Sequence, residues 1–198
     1  MIIYYRIMKC KDDNKLINIF NATLELINES GLSGTSMSKI AKRANISSST
    51  IYVYFENKED LLLKLYLRVK NKMNFEMYKN IDESDSFEVV YKTVLKKFIN
   101  FISNNKDYFL FMEQFQNSPI IQSISKEDTN EIVIPLNKLY SSGKKQGAIK
   151  DIDNNLLTIY TFYPAMQFVK DYFNGKVDLN EETIDQIVKL SWEAIKKQ

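Results

Sequence analysis

The chain reads as an all-α protein, and three observations carry that reading. Only five glycines and three prolines punctuate 198 residues. Apolar residues recur at intervals of three and four almost throughout, and the polar breaks between those runs are short. Hydrophobic residues make up 44% and charged residues 26%, the balance of a globular protein that buries a core without staples.

Taken in order, Leu16, Phe20, Thr23, Leu24 and Ile27 form one stripe and predict a helix over Asn14 to Ser30, with Gly31 placed as its C-cap. A second, short helix is expected over Met37 to Ala44, capped by Ser36 and turning Ile40, Ala41 and Ala44 inward. In the segment "ANIS", Asn45 tolerates the left-handed conformation, Ile46 faces the core and Ser47 caps a third helix from Ser48 to about Phe55. Two short helices around so tight a turn make a helix-turn-helix. Asn57 then caps a long fourth helix, with Asp60 in the place that Glu takes in a capping box. Further helices are expected near 86–104, 107–117, 126–145, 153–173 and 181–197, with "NSPI", "GKKQGAIKD" and "NGKVDLN" as loops. The predicted organisation is an N-terminal helix-turn-helix domain over residues 1–57 and a C-terminal helical domain over 58–198.

Composition excludes several functions. Histidine is absent and Cys10 is the lone cysteine, so a disulfide, a zinc site, a histidine-based triad and a haem ligand set all lack their residues. Without a nucleophile–base pair or a glycine-rich phosphate loop, an enzyme is not expected, and neither is a cofactor or metal. Acidic pairs such as Glu181 and Glu182 sit at helix starts, where the helix dipole accounts for them. The opening "MIIYYRIMK" is too short for a signal-peptide core, and no run approaches the roughly 20 apolar residues of a membrane span. The expectation is a cytoplasmic protein with no membrane partner, its natural start at Met1 or Met8. Net charge is only +2, but from Gly31 to Lys58 the cations Lys39, Lys42, Arg43 and Lys58 face a single Glu56, a local excess of +3.

The stretch "NISSSTIYVYFENKEDLL", residues 45–62, carries four hydroxyl residues in a row, then three aromatics within four positions, then a lysine and an acidic pair. With the preceding "GLSGTSMSKIAKRA" it resembles the N-terminal DNA-binding domain of the TetR family of transcriptional regulators. Ile27, Gly31, Ser36, Ile40 with Ala41, Ala44, Ile46 with Ser47, Ile51 with Tyr52, Tyr54 with Phe55, and Lys58, Glu59 and Leu61 fall in register without a gap. Asn45 stands for the usual turn glycine, Thr23 for a small buried alanine and Ser49 for a frequent glycine.

The resemblance implies a homodimer that binds double-stranded operator DNA, usually as a repressor, and is released by a small-molecule effector. A helix entering the major groove needs short polar groups toward base edges and phosphates, and Ser47, Ser48, Ser49 and Thr50 supply them at the end where the helix dipole attracts phosphate. Tyr52 and Tyr54 flank that surface, Val53 is suited to a thymine methyl, and Lys58 carries over from the family as a phosphate anchor. Ser36, Ser38 and Lys39 lie at the start of the second helix, near the DNA backbone. No Arg or Lys lies between Asn45 and Phe55, so bidentate readout of guanine is unavailable there and specificity rests on hydroxyls, methyls and DNA shape.

Over residues 63–198 the resemblance is one of layout. The family's dimer surface is its last two helices, and Ile184, Ile187, Val188, Ser191 and Ile195 form an apolar stripe there, with Leu190 and Ala194 beside it. Two aromatic-rich segments offer Phe101, Tyr108, Phe109, Met112, Phe115, Tyr160, Tyr163 and Met166 either as plain core or as the lining of a pocket for a mainly apolar effector. The competing reading is a helical ligand-binding or interaction module that no longer binds DNA.

Overall fold

The computed structural model describes residues 13–82 and 84–198. Cys10 and the alternative start at Met8 lie outside the described residues. Among the described residues the chain forms nine α-helices: α1 (Asp13–Gly34), α2 (Met37–Arg43), α3 (Ser48–Tyr54), α4 (Lys58–Tyr78), α5 (Phe87–Asn104), α6 (Lys106–Gln116), α7 (Lys126–Lys145), α8 (Asn154–Phe173) and α9 (Glu181–Ile195). A short 3₁₀ turn, Pro119–Ser123, lies between α6 and α7. No helix among them is long and apolar enough to cross a membrane.

The predicted local signals operate as read. Gly31, at φ 72°, breaks α1 where a C-cap glycine was expected. The Ser36 hydroxyl accepts from Lys39 N and caps α2, while the Ser47 hydroxyl accepts from Thr50 N and caps α3. Asn45 takes up the left-handed turn at φ 55°. At the start of α4, Asn57 Oδ1 accepts from Asp60 N at 2.8 Å. The Asp60 carboxylate reaches one residue further back than a capping box requires, accepting from Glu56 N at 3.0 Å.

Packing groups the chain into two units. One takes the chain through Tyr66 and, again, Asp107–Ile124; the other takes Leu67–Lys106 and Ser125–Gln198. In the first, α2 packs on both α1 and α3. Its core holds Ile19, Phe20, Ile27, Ile40, Ile51 and Phe55, with the Phe20 and Phe55 rings edge to face at 5.7 Å. Thr23, fully buried, satisfies its hydroxyl on Ile19 O at 2.7 Å, which is how a polar side chain is accepted on this stripe. α6 joins this unit through Asn28 Nδ2, which donates to the Asp107 carboxylate at 3.1 Å, and through the Phe115 ring stacked on Tyr66 at 4.4 Å.

In the second unit α9 packs on α5 and α8, and the Trp192 ring lies 5.4 Å from Tyr91 and 6.2 Å from Phe87. "GKKQGAIKD" is not wholly a loop: α7 runs on to Lys145 and so includes Gly143. A Cβ at Gly143 would come within 2.4 Å of the Phe87 ring, so glycine here serves close approach. Gly143→Ala should therefore cost about 1–3 kcal/mol by overpacking, despite alanine's better helix propensity. Chemical denaturation checks this, and a neutral or stabilised variant would show that the ring moves freely.

Candidate DNA-binding and effector sites

Every residue nominated for DNA contact falls within the first unit, on α2, α3, the N-caps of those two helices or the first turn of α4. Ser36, Ser38, Lys39, Ser47, Ser48 and Ser49 are exposed, and Thr50, Tyr54 and Lys58 are half-buried. Val53 is 80% exposed and Tyr52 56%, although an apolar side chain gains nothing by facing water. Ile51 and Phe55 on the opposite side of α3 are buried and hold the helix down. α3 thus presents a short, uncharged face of hydroxyls, one methyl-bearing side chain and one phenol.

The hydroxyls at the start of α3 are not equivalent. Ser47 Oγ lies 2.8 Å from Ser49 Oγ and 2.7 Å from Thr50 Oγ1 while capping the helix, so three of the four are engaged with one another. Two of the nearby cations lie back on backbone carbonyls. Lys39 Nζ donates to Gly34 O at 2.6 Å, and Lys58 Nζ donates to Leu32 O and Thr35 O, both at 3.3 Å.

Arg43 has a different employment. Its guanidinium donates to Glu25 at 3.1 Å and forms two bonds to Glu29 at 2.9 and 2.8 Å, a fork that ties α2 to α1. The hydrogen bond from Arg43 holds the Glu29 carboxyl below its usual range. This cation was counted in the positive excess around the motif, and the clamp withdraws it from that role. Arg43→Gln should leave the salt dependence of DNA binding unchanged. A slope lower by about 0.9 would instead reveal a phosphate contact.

The residues nominated for the effector are divided between the two units. Tyr108, Phe109, Met112 and Phe115 lie on α6 in the first unit, and Phe101, Tyr160, Tyr163 and Met166 lie in the second. Phe101, Phe109, Met112 and Phe115 are buried, and Tyr108 and Met166 are half-buried. Tyr160 and Tyr163 are 54% and 59% exposed, so within the subunit they are surface residues and line no interior pocket. Periodicity marks a side chain as apolar and placed on a helix, but it does not say on which side of α8 the core lies.

The stripe on α9 needs the converse correction. Ile184, Ile187, Val188, Ser191 and Ile195 are all buried within the subunit, where α9 packs on α5 and α8. The surface that α8 and α9 leave open is apolar too. Leu156, Ile159, Tyr160 and Tyr163 of α8 and Leu190 of α9 are exposed, Leu190 by 71%. A groove of about 350 Å³ lies between the two helices, lined by Tyr160, Pro164, Phe168, Ile187, Leu190 and Ala194 among others. Leu190 had a signal in the sequence, beside the stripe; Leu156 and Ile159 carried none that separated them from core.

Sequence reasoning also missed a buried hydroxyl cluster in the second unit. Tyr91 and Tyr140 both donate to Thr161 Oγ1, at 3.1 and 3.3 Å, and Thr161 donates to Leu157 O at 2.7 Å. The buried hydroxyl of Tyr78 has no hydrogen-bond partner among the described residues. Burial pushes the Tyr78, Tyr91 and Tyr140 phenols above their ordinary range and keeps all three neutral.

Comparison with known proteins bears on the family and the fold. The model for the bacterial regulatory proteins of the tetR family matches residues 19–65. The model described as the tetracyclin repressor-like C-terminal domain matches residues 87–196, more than half the chain. An uncharacterized HTH-type transcriptional regulator of Haemophilus influenzae is 28% identical over 179 residues, covering 90% of this chain and 94% of its own. The crystal structure of a TetR family transcription regulator from Marinobacter aquaeolei VT8 superposes with a TM-score of 0.86 at 25% identity, over 96% of this chain and 100% of that one. The transcriptional regulator FadR of Bacillus subtilis, solved in complex with stearoyl-CoA, shares the fold at a TM-score of 0.76 and 24% identity, over 90% and 98% of the two chains.

Proposed function

The chain belongs to the TetR family of transcriptional regulators, and on that footing we propose that it is a cytoplasmic, homodimeric repressor whose α3 helix reads operator DNA and which a small, mainly apolar ligand releases. The observation that carries the reading is α3 itself. Its buried side fixes it in the first unit, and its outward side exposes Tyr52 and Val53 beside a cluster of serines, a surface of the chemistry that a major groove accepts. In this proposal residues 1–57 form the DNA-binding domain and 58–198 the effector and dimerisation domain.

Contacts divide by chemistry. Ser48, Ser49 and Val53 face base edges; Ser36, Ser38, Lys39, Tyr52 and Tyr54 face phosphates, where phenols and hydroxyls position the helix without reading sequence. Dimerisation uses the open face of α8 and α9 around Tyr160, Tyr163 and Leu190. Two-fold symmetry then gives two copies of α3 and a pseudo-palindromic site.

The apolar character of the effector is supported by the buried aromatic content of both units and by the long acyl chain of the stearoyl-CoA in the FadR complex. The unpartnered Tyr78 hydroxyl offers a polar anchor for such a guest. α4 runs unbroken from Lys58, beside the α1–α2 turn, to Tyr78, and is the lever in this scheme. Release requires the ligand to prefer a conformation whose two α3 helices no longer match the groove spacing, since equal affinity for both conformations shifts nothing.

The test is selection of duplexes from a random DNA pool, followed by titration at several salt concentrations. A defined motif is expected, bound more weakly as salt rises, with Val53→Ala altering base preference and Tyr54→Ala weakening all sequences alike. Failure to enrich any motif would overturn the DNA-binding reading.

A further inference from the structure

The groove between α8 and α9 carries two polar groups that the fold leaves over. Ser191 lines it, 3% exposed, and its buried hydroxyl has no hydrogen-bond partner among the described residues. Helix hydroxyls elsewhere in this protein return to the carbonyl four residues back, as those of Thr23, Ser30, Thr158 and Thr161 do at 2.7–2.8 Å. Ser191 makes no such bond to Ile187 O, so no hydrogen bond holds its χ1 and the hydroxyl can turn to a partner that enters the groove. On α8, Tyr160 and Pro164 line the same groove. Pro164 has no N–H, so the carbonyl of Tyr160, four residues back, lacks its helical donor.

A spare hydroxyl beside a spare carbonyl suits a primary carboxamide, whose oxygen accepts from the one and whose nitrogen donates to the other. Gln186, exposed on this groove, carries such a group. Its amide donates to Glu182 Oε1 at 3.4 Å, a long bond that holds it loosely. It cannot serve the Ser191 of its own helix, which lies more than a turn further on, because helical side chains lean toward the N-terminus. The residues that α9 gives to the groove, Thr183, Gln186, Ile187, Leu190, Ser191 and Ala194, are spaced symmetrically about the point between Val188 and Lys189. An antiparallel copy of α9 crossing at that point sets Gln186 level with the partner subunit's Ser191, and Ile187 level with the partner subunit's Leu190.

We infer that Gln186 and Ser191 form a reciprocal polar lock across the dimer. The Gln186 amide of each protomer enters the facing groove, accepts from the partner subunit's Ser191 hydroxyl and donates to the partner subunit's Tyr160 carbonyl. Each groove is incomplete without the second copy, which brings the carboxamide it lacks. Apolar faces slide past one another at little cost, whereas a slip along α9 would bury the hydroxyl and the carbonyl unpaired, so the lock selects one register. The inference rests on the proposed dimer through α8 and α9 and names its register.

Cross-linking reads that register. In a Cys10→Ser background, Gln186→Cys combined with Ser191→Cys should give a covalent dimer under mild oxidation, and neither single variant should. Within one helix, residues five apart lie beyond the Cα separation of about 7 Å that a disulfide can bridge, so the bond must join two protomers. Sedimentation equilibrium reads the lock itself. Gln186→Leu should raise the dimer dissociation constant about tenfold, and the same change in a Ser191→Ala background should have a much smaller effect. A dimer that cross-links through either single variant, one that does not cross-link at all, or additive effects of the two substitutions would overturn the lock and leave the dimer standing. A wild-type protein that sediments as a monomer would instead overturn the dimer reading and the lock with it.

Discussion

Replacing Leu190 with glutamate should divide the protein into folded monomers and weaken operator binding by about 100-fold or more. Leu190 is 71% exposed in the subunit, so the substitution disturbs little inside it. In the proposed dimer the same side chain lies at the centre of an apolar face, flanked by Tyr160 and the groove between α8 and α9. A carboxylate buried there without a partner costs several kcal/mol, and two-fold symmetry applies that cost twice. Val188→Glu makes the contrast: Val188 is 4% exposed, so that charge goes into the core of the subunit and unfolds it. Sedimentation of both variants with circular dichroism alongside decides the matter. A Leu190→Glu protein that is folded and still dimeric would move the interface elsewhere.

Phe115→Ala should cost about 3–5 kcal/mol of stability, the range for removing a buried phenyl ring. Phe115 is fully buried, stacked on Tyr66 at 4.4 Å and 5.7 Å from Phe111. It packs the α6 segment against the start of α4 inside the first unit. Tyr160→Ala, from the other aromatic segment, should change subunit stability by less than about 0.5 kcal/mol because its ring is on the surface. Urea unfolding under ligand-free conditions measures both, with the midpoint falling for Phe115→Ala and the slope unchanged. A loss under 1 kcal/mol for Phe115→Ala would mean that the ring faces a cavity rather than a packed neighbour.

Much of the first unit was legible because its signals are local. Ser36, Asn45, Ser47 and Gly31 each act within a few residues of themselves, through a cap or a left-handed turn, and a reader needs no tertiary knowledge to place them. The spacing between them then fixes α2 and α3, and with them the exposed face of Tyr52 and Val53. Ile184, Val188 and Ile195 mark the limit of this kind of reading. Their period identified an apolar stripe correctly, yet the same stripe serves a subunit core or a dimer face, and only packing on α5 and α8 distinguishes the two. Gly143 and Arg43 were illegible for another reason. The Phe87 ring is 56 positions from the glycine, and Glu25 and Glu29 are 18 and 14 from the arginine, so each role depends on a partner that no local pattern names.

Two copies of α3, held by one dimer, should read two symmetric half-sites. The most direct measurement is a footprint of the protein on its selected duplex together with the mass of the complex. Two protomers per duplex are expected, with two symmetric protected half-sites whose centres lie one helical turn, roughly 34 Å, or a multiple of it apart. A single protomer on an asymmetric site, or protection that shows no sequence preference, would contradict it.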